Sequence, residues 1–272
     1  EIHERLVGSE MCIRDRVSLS AMMPVLSHMG HHLYTLPTAL VSNTLDYGKF
    51  YIQETTEYMR QSLKVWAELG FSFDVVSTGM ILSAEQAALV SDFCEQSAKK
   101  GALVFVDPIM GDEGKLYNGV GEETIAHMRK MVAVADCIVP NYTEAAYLAD
   151  VPYHEDMTEE EARALTIRLH EMGAKSVVVT SAKVDGENCV VGYDGTEGEF
   201  FRIPFDLIPV RFVGTGDIFA AVMLGRLVDG VPLQESTHRA MDAVRTMIDR
   251  NRDKEDKYLG IPIETCLEVL DE

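Results

Sequence analysis

Apolar residues along the chain follow two patterns in turn, one typical of strands and the other typical of helices. The continuous apolar run at 103–106 and the valine-rich segment at 176–180 predict strands that are buried on both faces of a parallel sheet. The stretches between such runs place apolar residues every three to four positions, which predicts helices packed on that sheet. The predicted strands lie at 33–36, 74–78, 103–106, 136–139 and 176–180, and the predicted helices at 18–29, 55–69, 83–100, 122–134, 143–149, 158–172, 216–228, 233–250 and 262–270.

A different pattern follows the last of these strands. Residues 189–193 and 199–203 are two strand-like segments joined by a glycine-containing turn, which predicts an antiparallel hairpin at a sheet edge. The repeated strand–helix units before it predict a parallel sheet with helices on both faces. The predicted fold class is therefore α/β, a three-layer α/β/α sandwich with a mostly parallel sheet and an antiparallel edge hairpin.

The turn before the predicted helix 216–228 carries the clearest candidate chemistry. Gly214, Thr215 and Gly216 separate an apolar approach from the helix, so their backbone N–H groups are expected to face outward. Such a helix N-terminus attracts anions, and glycines let a phosphate approach closely. Asp217 suits a base that takes the proton from a hydroxyl attacking a phosphoryl group. Alternatively, Asp217 is an ordinary first-turn acid and the glycines form an ordinary loop.

Acidic residues also follow the predicted strand 103–106. Pro108 cannot continue the strand, so Asp107 lies at the carboxyl end of that strand. Asp112 follows in the same glycine-containing loop. Open α/β sheets bind ligands at the carboxyl ends of their strands, and two carboxylates in one loop can order Mg²⁺ through waters. Turn formation is the competing explanation for both aspartates.

Two further strand ends carry polar side chains. Asn141 and Glu144 follow 136–139 in the pattern of a capping box, which by itself explains their presence. Thr180 and Ser181 lie at the end of the last predicted parallel strand. Because parallel strands share one carboxyl edge, all these side chains and the glycine turn are expected on the same rim of one sheet.

Composition restricts the class of partner. The 272 residues are 47% hydrophobic with a formal net charge of −20, which suits a globular protein and argues against nucleic acid or an anionic membrane as the main partner. The five cysteines form no Cys-x-x-Cys pair, so neither a disulfide framework nor a zinc site is predicted. A reducing, cytoplasmic setting is expected, and no apolar run reaches membrane-spanning length.

Residues 1–16 differ from the rest of the chain. They are charged, lack the apolar core of a signal peptide and resemble a translated sequencing-adapter artefact. We therefore expect residues 1–16 to be a non-native or disordered segment. The remaining residues, 17–272, are expected to form a single domain that lacks its first strand.

Four motifs give the chain a resemblance to a known family. Phe-Val-Gly-Thr-Gly-Asp-Ile-Phe-Ala-Ala at 212–221 is similar to the signature of the pyridoxal (pyridoxamine) kinase family, within the ribokinase-like superfamily. Asp-Pro-Ile-Met-Gly-Asp at 107–112 is similar to the second motif of that family. Pro-Asn-x-x-Glu-Ala at 140–145 and Val-Thr-Ser at 179–181 follow in the family order. The resemblance covers about 17–250 and implies a ribokinase-like fold.

The resemblance also implies an activity and a set of roles. It implies a cytoplasmic, homodimeric enzyme that uses ATP and Mg²⁺ to phosphorylate the 5′-hydroxymethyl group of a B6 vitamer. Asp217 would be the base, and the backbone of Gly214, Thr215 and Gly216 would form the anion hole. The nucleotide side would comprise Asn141, Glu144, Thr180, Ser181 and Lys183, with Mg²⁺ ordered by Asp107, Asp112 and Glu144. The vitamer would contact Ser42, Asn43, Tyr47 and Tyr117.

Several positions depart from the family pattern and keep two other functions open. Leu45 and Asp46 stand where members commonly have Thr-Gly, and Val139 stands where many have threonine. The family's first strand would lie upstream of Val17. Hydroxymethylpyrimidine kinase shares the fold but usually has cysteine where Asp217 stands. The other alternative is a nucleotide- or vitamer-binding relative without turnover.

Overall fold

The computed structural model describes residues 4–117 and 120–271, and its helices and strands alternate as the sequence predicts. In chain order the elements are β1 (Glu4–Gly8), β2 (Met11–Cys12), α1 (Leu19–His28), β3 (His32–Thr35), β4 (Ala39–Val41), β5 (Ile52–Glu54), α2 (Thr56–Leu69), β6 (Val75–Thr78), α3 (Ala84–Ala98), β7 (Leu103–Val106), β8 (Gly111–Asp112), β9 (Lys115–Leu116), α4 (Glu122–Val132), β10 (Cys137–Ile138), α5 (Tyr142–Ala149), α6 (Glu159–Glu171), β11 (Ser176–Val184), β12 (Glu187–Asp194), β13 (Glu199–Pro204), α7 (Thr215–Val228) and α8 (Leu233–Asn251). The chain divides into two compact units, one formed by Glu1–Leu82 with Ile208–Glu272 and the other by Ser83–Leu207.

The first unit contains three parallel strands. β1 lies between β3 and β6, and Leu6 pairs with Tyr34 on one side and with Val76 on the other. Leu6 and Val7 are each 2% exposed, so this strand contributes to the core. Among the helices, α7 packs against both α1 and α8. A small sheet in the order β2-β4-β5 carries the polar loop between β4 and β5.

Residues 4–16 belong to this unit, so the prediction that 1–16 is disordered and that the first strand is missing is wrong for them. β1 contains few of the β-branched residues that are typical of strands. It is stabilised instead by pairing along both edges and by the burial of its two apolar side chains. The Arg16 N–H donates to the carbonyl oxygen of Leu259 at 3.0 Å, which ties the segment to the later part of the chain. Residues 1–3 lie outside the described residues.

The second unit contains the strands in the order β13-β12-β11-β10-β7. Ile138 of β10 pairs in parallel with Val106 of β7 and with Val177 of β11. β12 pairs antiparallel with both β11 and β13, so the predicted hairpin at the sheet edge is confirmed. Because β7, β10 and β11 are parallel, the loops that follow them leave the sheet at the same edge.

The α/β class, with mostly parallel strands and helices between them, is confirmed, and one predicted helix is wrong. Residues 262–270 form two short 3₁₀ turns, Ile263–Thr265 and Leu267–Asp271, because Cys266 has an extended φ of −134° that interrupts the helix. The strands β2, β4, β5, β8 and β9 were not predicted, since segments of two or three residues carry too little periodicity. None of the helices in the described ranges has the length and apolar character needed to cross a membrane.

Candidate active site

The Gly-Thr-Gly turn forms the N-terminus of α7. Gly214 is the N-cap residue with φ of +80°, and Thr215 begins the helix. As a glycine, Gly214 has no side chain with which to cap the first N–H groups of this helix. A Cβ atom placed on Gly216 would have no atom of the described residues within 4 Å. The turn therefore has backbone donors and room for an anionic group, as the sequence predicts.

Gly214 is required for a second reason. A Cβ atom at this position would lie 2.0 Å from the carbonyl oxygen of Arg16. The left-handed backbone conformation disfavours any side chain there independently of that contact. The close approach of two backbone segments thus fixes the shape of the turn that precedes α7.

Asp217 is half-buried in the first turn of α7. The pKa of its carboxyl group is raised to about 7, chiefly by burial and in part by the negative charge of Glu10, while the hydrogen bond from the Ser18 N–H opposes this rise. The carboxylate of Glu10 accepts hydrogen bonds from the hydroxyls of Ser9, at 2.8 Å, and of Ser18. A pKa near neutrality suits a general base. Sequence reasoning missed Glu10 and Ser18, because no local pattern links them to Asp217.

Two of the predicted vitamer contacts shape their own loop. The Ser42 hydroxyl donates to Asn43 Oδ1 at 2.8 Å and accepts the Tyr51 N–H at 2.9 Å. Asn43 Nδ2 donates to the carbonyl oxygen of Lys49 at 2.8 Å. These bonds close the loop between β4 and β5 on itself.

Tyr47, the third residue predicted in this loop, is held by other segments. Its hydroxyl donates to Asp256 at 3.0 Å and accepts from Arg14 Nη1 at 2.7 Å. Its ring packs edge-on against Tyr258, with 5.2 Å between the ring centroids. The loop is therefore attached to the segment that follows α8.

Three residues predicted on the nucleotide side lie at one edge of the second unit's strands. Asp107 follows β7, Asn141 follows β10, and Thr180 lies in β11. Asn141 and Thr180 form a parallel β-bridge, and the Thr180 N–H donates to the carbonyl oxygen of Pro140 at 2.9 Å. Asn141 and Thr180 are therefore adjacent, as expected from parallel strands, and Asp107 follows the neighbouring strand β7.

β11 changes its pairing register after Thr180. The shift lies between Val179 and Ala182, and Ser181 has a left-handed φ of +56° there. A non-glycine residue in this conformation is uncommon and often marks a functional position. Ser181 and Lys183 are both exposed on the strand.

Asn141 and Glu144 form the predicted capping box of α5, and Glu144 also accepts hydrogen bonds from the backbone of the segment that follows β7. Asn141 Oδ1 accepts the Glu144 N–H at 3.0 Å, and Glu144 Oε2 accepts the Asn141 N–H at 2.8 Å. The other carboxylate oxygen, Oε1, accepts N–H groups of Met110 at 2.9 Å and Gly111 at 3.5 Å. The side chain is 3% exposed, and burial raises its pKa above the usual range against the effect of these bonds, with Asp112 adding to the rise.

The three carboxylates predicted to order Mg²⁺ do not form a ready-made cage. Across the described ranges, no group of three or more His, Cys, Asp or Glu side chains is placed to hold a metal ion. Asp112 Oδ1 accepts the N–H of Glu113 at 2.9 Å, and the carboxylate of Glu144 is engaged by three backbone N–H groups. Mg²⁺ bound to a nucleotide keeps several waters and needs only one or two carboxylates, so Asp107 and Asp112 still fit that ion.

Tyr117 ends the short hairpin formed by β8 and β9. Its N–H donates to the carbonyl oxygen of Met110 at 2.9 Å, which closes the hairpin. The side chain is exposed and is followed by residues outside the described ranges. Thr143, which sequence reasoning did not single out, accepts the Gly114 N–H of the same hairpin at 2.8 Å.

Sequence comparison gives one family and a set of curated relatives. The family model described as phosphomethylpyrimidine kinase matches residues 20–260. Pyridoxal kinase of Arabidopsis thaliana is 32% identical over 171 residues, which are 60% of this chain and 53% of that protein. The chain spans about half the length of the first curated relatives it matches.

Two solved structures are similar over nearly the whole chain. A Bacteroides thetaiotaomicron protein, provisionally named a phosphomethylpyrimidine kinase and crystallised with pyridoxal, has a TM-score of 0.95 at 32% identity and covers 100% of this chain and 96% of its own. Pyridoxal kinase from Lactobacillus plantarum has a TM-score of 0.89 at 28% identity, covering 99% and 97%. By these matches and its glycine turn, the chain belongs to the phosphomethylpyrimidine kinase family, as a relative of the pyridoxal kinases within the ribokinase-like superfamily.

Proposed function

We propose that this chain is a kinase that transfers the γ-phosphoryl group of ATP to the 5′-hydroxymethyl group of pyridoxal, pyridoxine or pyridoxamine. The observation that carries the proposal is Asp217, whose pKa is raised to about 7 in the first turn of a helix whose N-cap residue is a glycine. The names of the relatives support the substrate class, and one similar structure contains pyridoxal.

On the acceptor side, Asp217 takes the proton of the substrate hydroxyl as its oxygen attacks the γ-phosphoryl group. The backbone N–H groups of Gly214, Thr215 and Gly216 stabilise the negative charge that develops on the transferred group. In this proposal, the loop that carries Ser42, Asn43 and Tyr47 contacts the pyridine ring, and Tyr117 is a further vitamer contact.

On the nucleotide side, the polar groups at the carboxyl edge of β7, β10 and β11 bind the ATP phosphates. Asn141, Thr180 and Ser181 provide hydrogen-bonding groups at this edge, and the exposed Lys183 provides positive charge. Such groups position the phosphates, which is most of what phosphoryl transfer requires.

Mg²⁺ is part of this proposal. When bound, the ion neutralises charge on the phosphates. Asp107 and Asp112 would hold it or its waters, whereas Glu144 acts through the backbone of Met110 and Gly111, because both of its carboxylate oxygens accept N–H bonds.

The second candidate is a hydroxymethylpyrimidine kinase, because the matching family model carries the related name. A binding protein without turnover is a third possibility. The test is ATP consumption with Mg²⁺ in the presence and absence of pyridoxal, with the product identified by mass spectrometry. Pyridoxal-dependent formation of ADP and pyridoxal 5′-phosphate supports the proposal, and binding of both compounds without turnover contradicts it.

We also propose a homodimer in a reducing cytoplasm. Tyr58, Val65 and Leu69 are exposed and recur along one face of α2, which is an apolar stripe suited to a second subunit. The five cysteines are free and buried, as in proteins of reducing compartments. Light scattering coupled to size-exclusion chromatography tests the dimer, and a monomer at micromolar concentration would contradict it.

A further inference from the structure

The hairpin of β8 and β9, residues 110–117, carries Asp112 and is held at its base by the capping box of α5. Glu144 accepts the N–H groups of Met110 and Gly111, and Asn141 Nδ2 donates to the carbonyl oxygen of Gly111 at 2.7 Å. The base of the hairpin is therefore fixed by two residues that the family motif contains.

The tip of the hairpin is held by a different pair of residues. The Gly114 N–H donates to the hydroxyl oxygen of Thr143 at 2.8 Å, and Thr143 is 2% exposed. On its other side, a Cβ atom placed on Gly114 would lie 2.9 Å from Cδ1 of Tyr153, so the turn rests against that ring. Tyr153 in turn stacks on Tyr142, with 4.8 Å between the centroids.

These tip contacts matter because the hairpin is too short to be stable without contacts to the rest of the unit. β8 and β9 contain two residues each, and isolated two-stranded hairpins are at best marginally stable in water. Asp112 lies between the base and the tip, so its direction depends on both anchors. Loss of the tip anchor would leave Asp112 attached on one side only.

We propose that Thr143 is a positioning residue for phosphoryl transfer. Its hydroxyl, with the ring of Tyr153, fixes the tip of the hairpin and thereby holds Asp112 in the direction needed for Mg²⁺ and the nucleotide phosphates. This inference rests on the proposed kinase function and adds to it two residues that lie outside the expected set of site residues. A purely structural role of Thr143 would instead lower stability without changing the response to Mg²⁺.

The chain offers a matched control. Thr166 in α6 is fully buried in the same unit, and its hydroxyl donates to the carbonyl oxygen of Arg163 at 3.0 Å, away from the hairpin. Thr143→Val and Thr166→Val each replace a hydroxyl by a methyl group of similar size. Thr143→Ser retains the acceptor for Gly114.

The first readout is affinity for ADP, measured by calorimetry on the whole chain over a range of Mg²⁺ concentrations. The net contribution of one such part-buried hydrogen bond is equivalent to about a two- to tenfold change in an equilibrium constant. We expect Thr143→Val to raise the Mg²⁺ concentration for half-maximal ADP binding by that factor. Thr143→Ser is expected to stay within twofold of the unsubstituted chain, and Thr166→Val to lower only the melting temperature.

The second readout uses an exposed residue, so that folding is not at risk. Tyr153→Ala removes the wall beside Gly114 and is expected to raise the same Mg²⁺ concentration, whereas Tyr153→Phe keeps the ring and the Mg²⁺ response. If Thr143→Val does not fold, the difference in Mg²⁺ response between Tyr153→Ala and Tyr153→Phe tests the inference, and equal responses would overturn it.

The outcomes separate the inference from the proposed function. Equal Mg²⁺ responses in Thr143→Val and Thr166→Val, in a chain that phosphorylates pyridoxal, would overturn the inference alone. An unsubstituted chain that binds no ADP at any Mg²⁺ concentration would overturn both.

Discussion

Replacing Asp217 by asparagine is expected to abolish turnover and, at the same time, to stabilise the fold above neutral pH. The pKa of this carboxyl group is raised from 3.8 to about 7, chiefly by burial. In the unfolded chain it ionises near pH 4, so between about pH 4 and pH 7 the folded state binds more protons than the unfolded state. Stability therefore falls as pH rises through this window, and the cost is complete above about pH 7.

The size of this cost follows from the same two pKa values. Their difference corresponds to about 4 kcal/mol, and we treat this as an upper limit because the side chain retains contact with water. Asparagine has a similar shape and carries no charge, so Asp217→Asn removes the cost. We expect the variant to be more stable than the unsubstituted chain by about 1 to 4 kcal/mol above pH 7, with the gain declining towards pH 4.

Urea unfolding of both proteins across this pH range measures the gain directly. The rate should fall by at least about a hundredfold, since the amide cannot accept the substrate proton. In the unsubstituted chain, kcat/KM for pyridoxal should rise with pH through about 7 as the base ionises. A stability difference that does not vary with pH would refute the pKa assignment, and a variant with near-normal kcat would refute the role of Asp217 as the base.

Four other substitutions test separate parts of the site. Glu10→Gln removes a negative charge beside Asp217, so the midpoint of the pH–rate profile should move to lower pH, and an unchanged midpoint would count against their coupling. Asp112→Ala should raise the Mg²⁺ requirement with little change in melting temperature. Glu144→Ala should instead destabilise by about 1 kcal/mol or more, because three backbone N–H groups lose their acceptor, and a thermal melt that does not move would contradict this. Gly214→Ala should abolish activity and lower the melting temperature, since its Cβ would meet a carbonyl oxygen at 2.0 Å; an active, stable variant would exclude the turn geometry described here.

The elements that the sequence predicts well are those with a strong local pattern. The apolar run at 103–106 and the valine-rich segment at 176–180 form β7 and the start of β11, because their buried valines leave few alternatives to a central strand. The capping pattern at Asn141 and Glu144 predicted the start of α5 to within one residue, since both capping bonds are local. The side chains at parallel strand ends could be grouped for the same reason, as the edge they share follows from the direction of the strands.

The features that sequence reasoning missed depend on contacts between distant segments. Glu10 and Ser18 lie beside Asp217 only because β1 is inserted between two other strands, and the charged composition of residues 1–16 gave no sign of this. The second role of Glu144, which holds the hairpin backbone, is likewise not visible in a motif that capping already explains. Local patterns identified the residue types of the site, and tertiary contacts decided which atoms remain available for chemistry.

The central claim is that this chain phosphorylates B6 vitamers and not the pyrimidine that the family name suggests. The most direct test is a side-by-side measurement of kcat/KM for pyridoxal and for hydroxymethylpyrimidine with ATP and Mg²⁺. The carboxylate base at Asp217 and the similarity to pyridoxal kinases predict the higher value for pyridoxal, with pyridoxal 5′-phosphate as the product. A higher value for hydroxymethylpyrimidine, or no phosphorylation of pyridoxal, would contradict it.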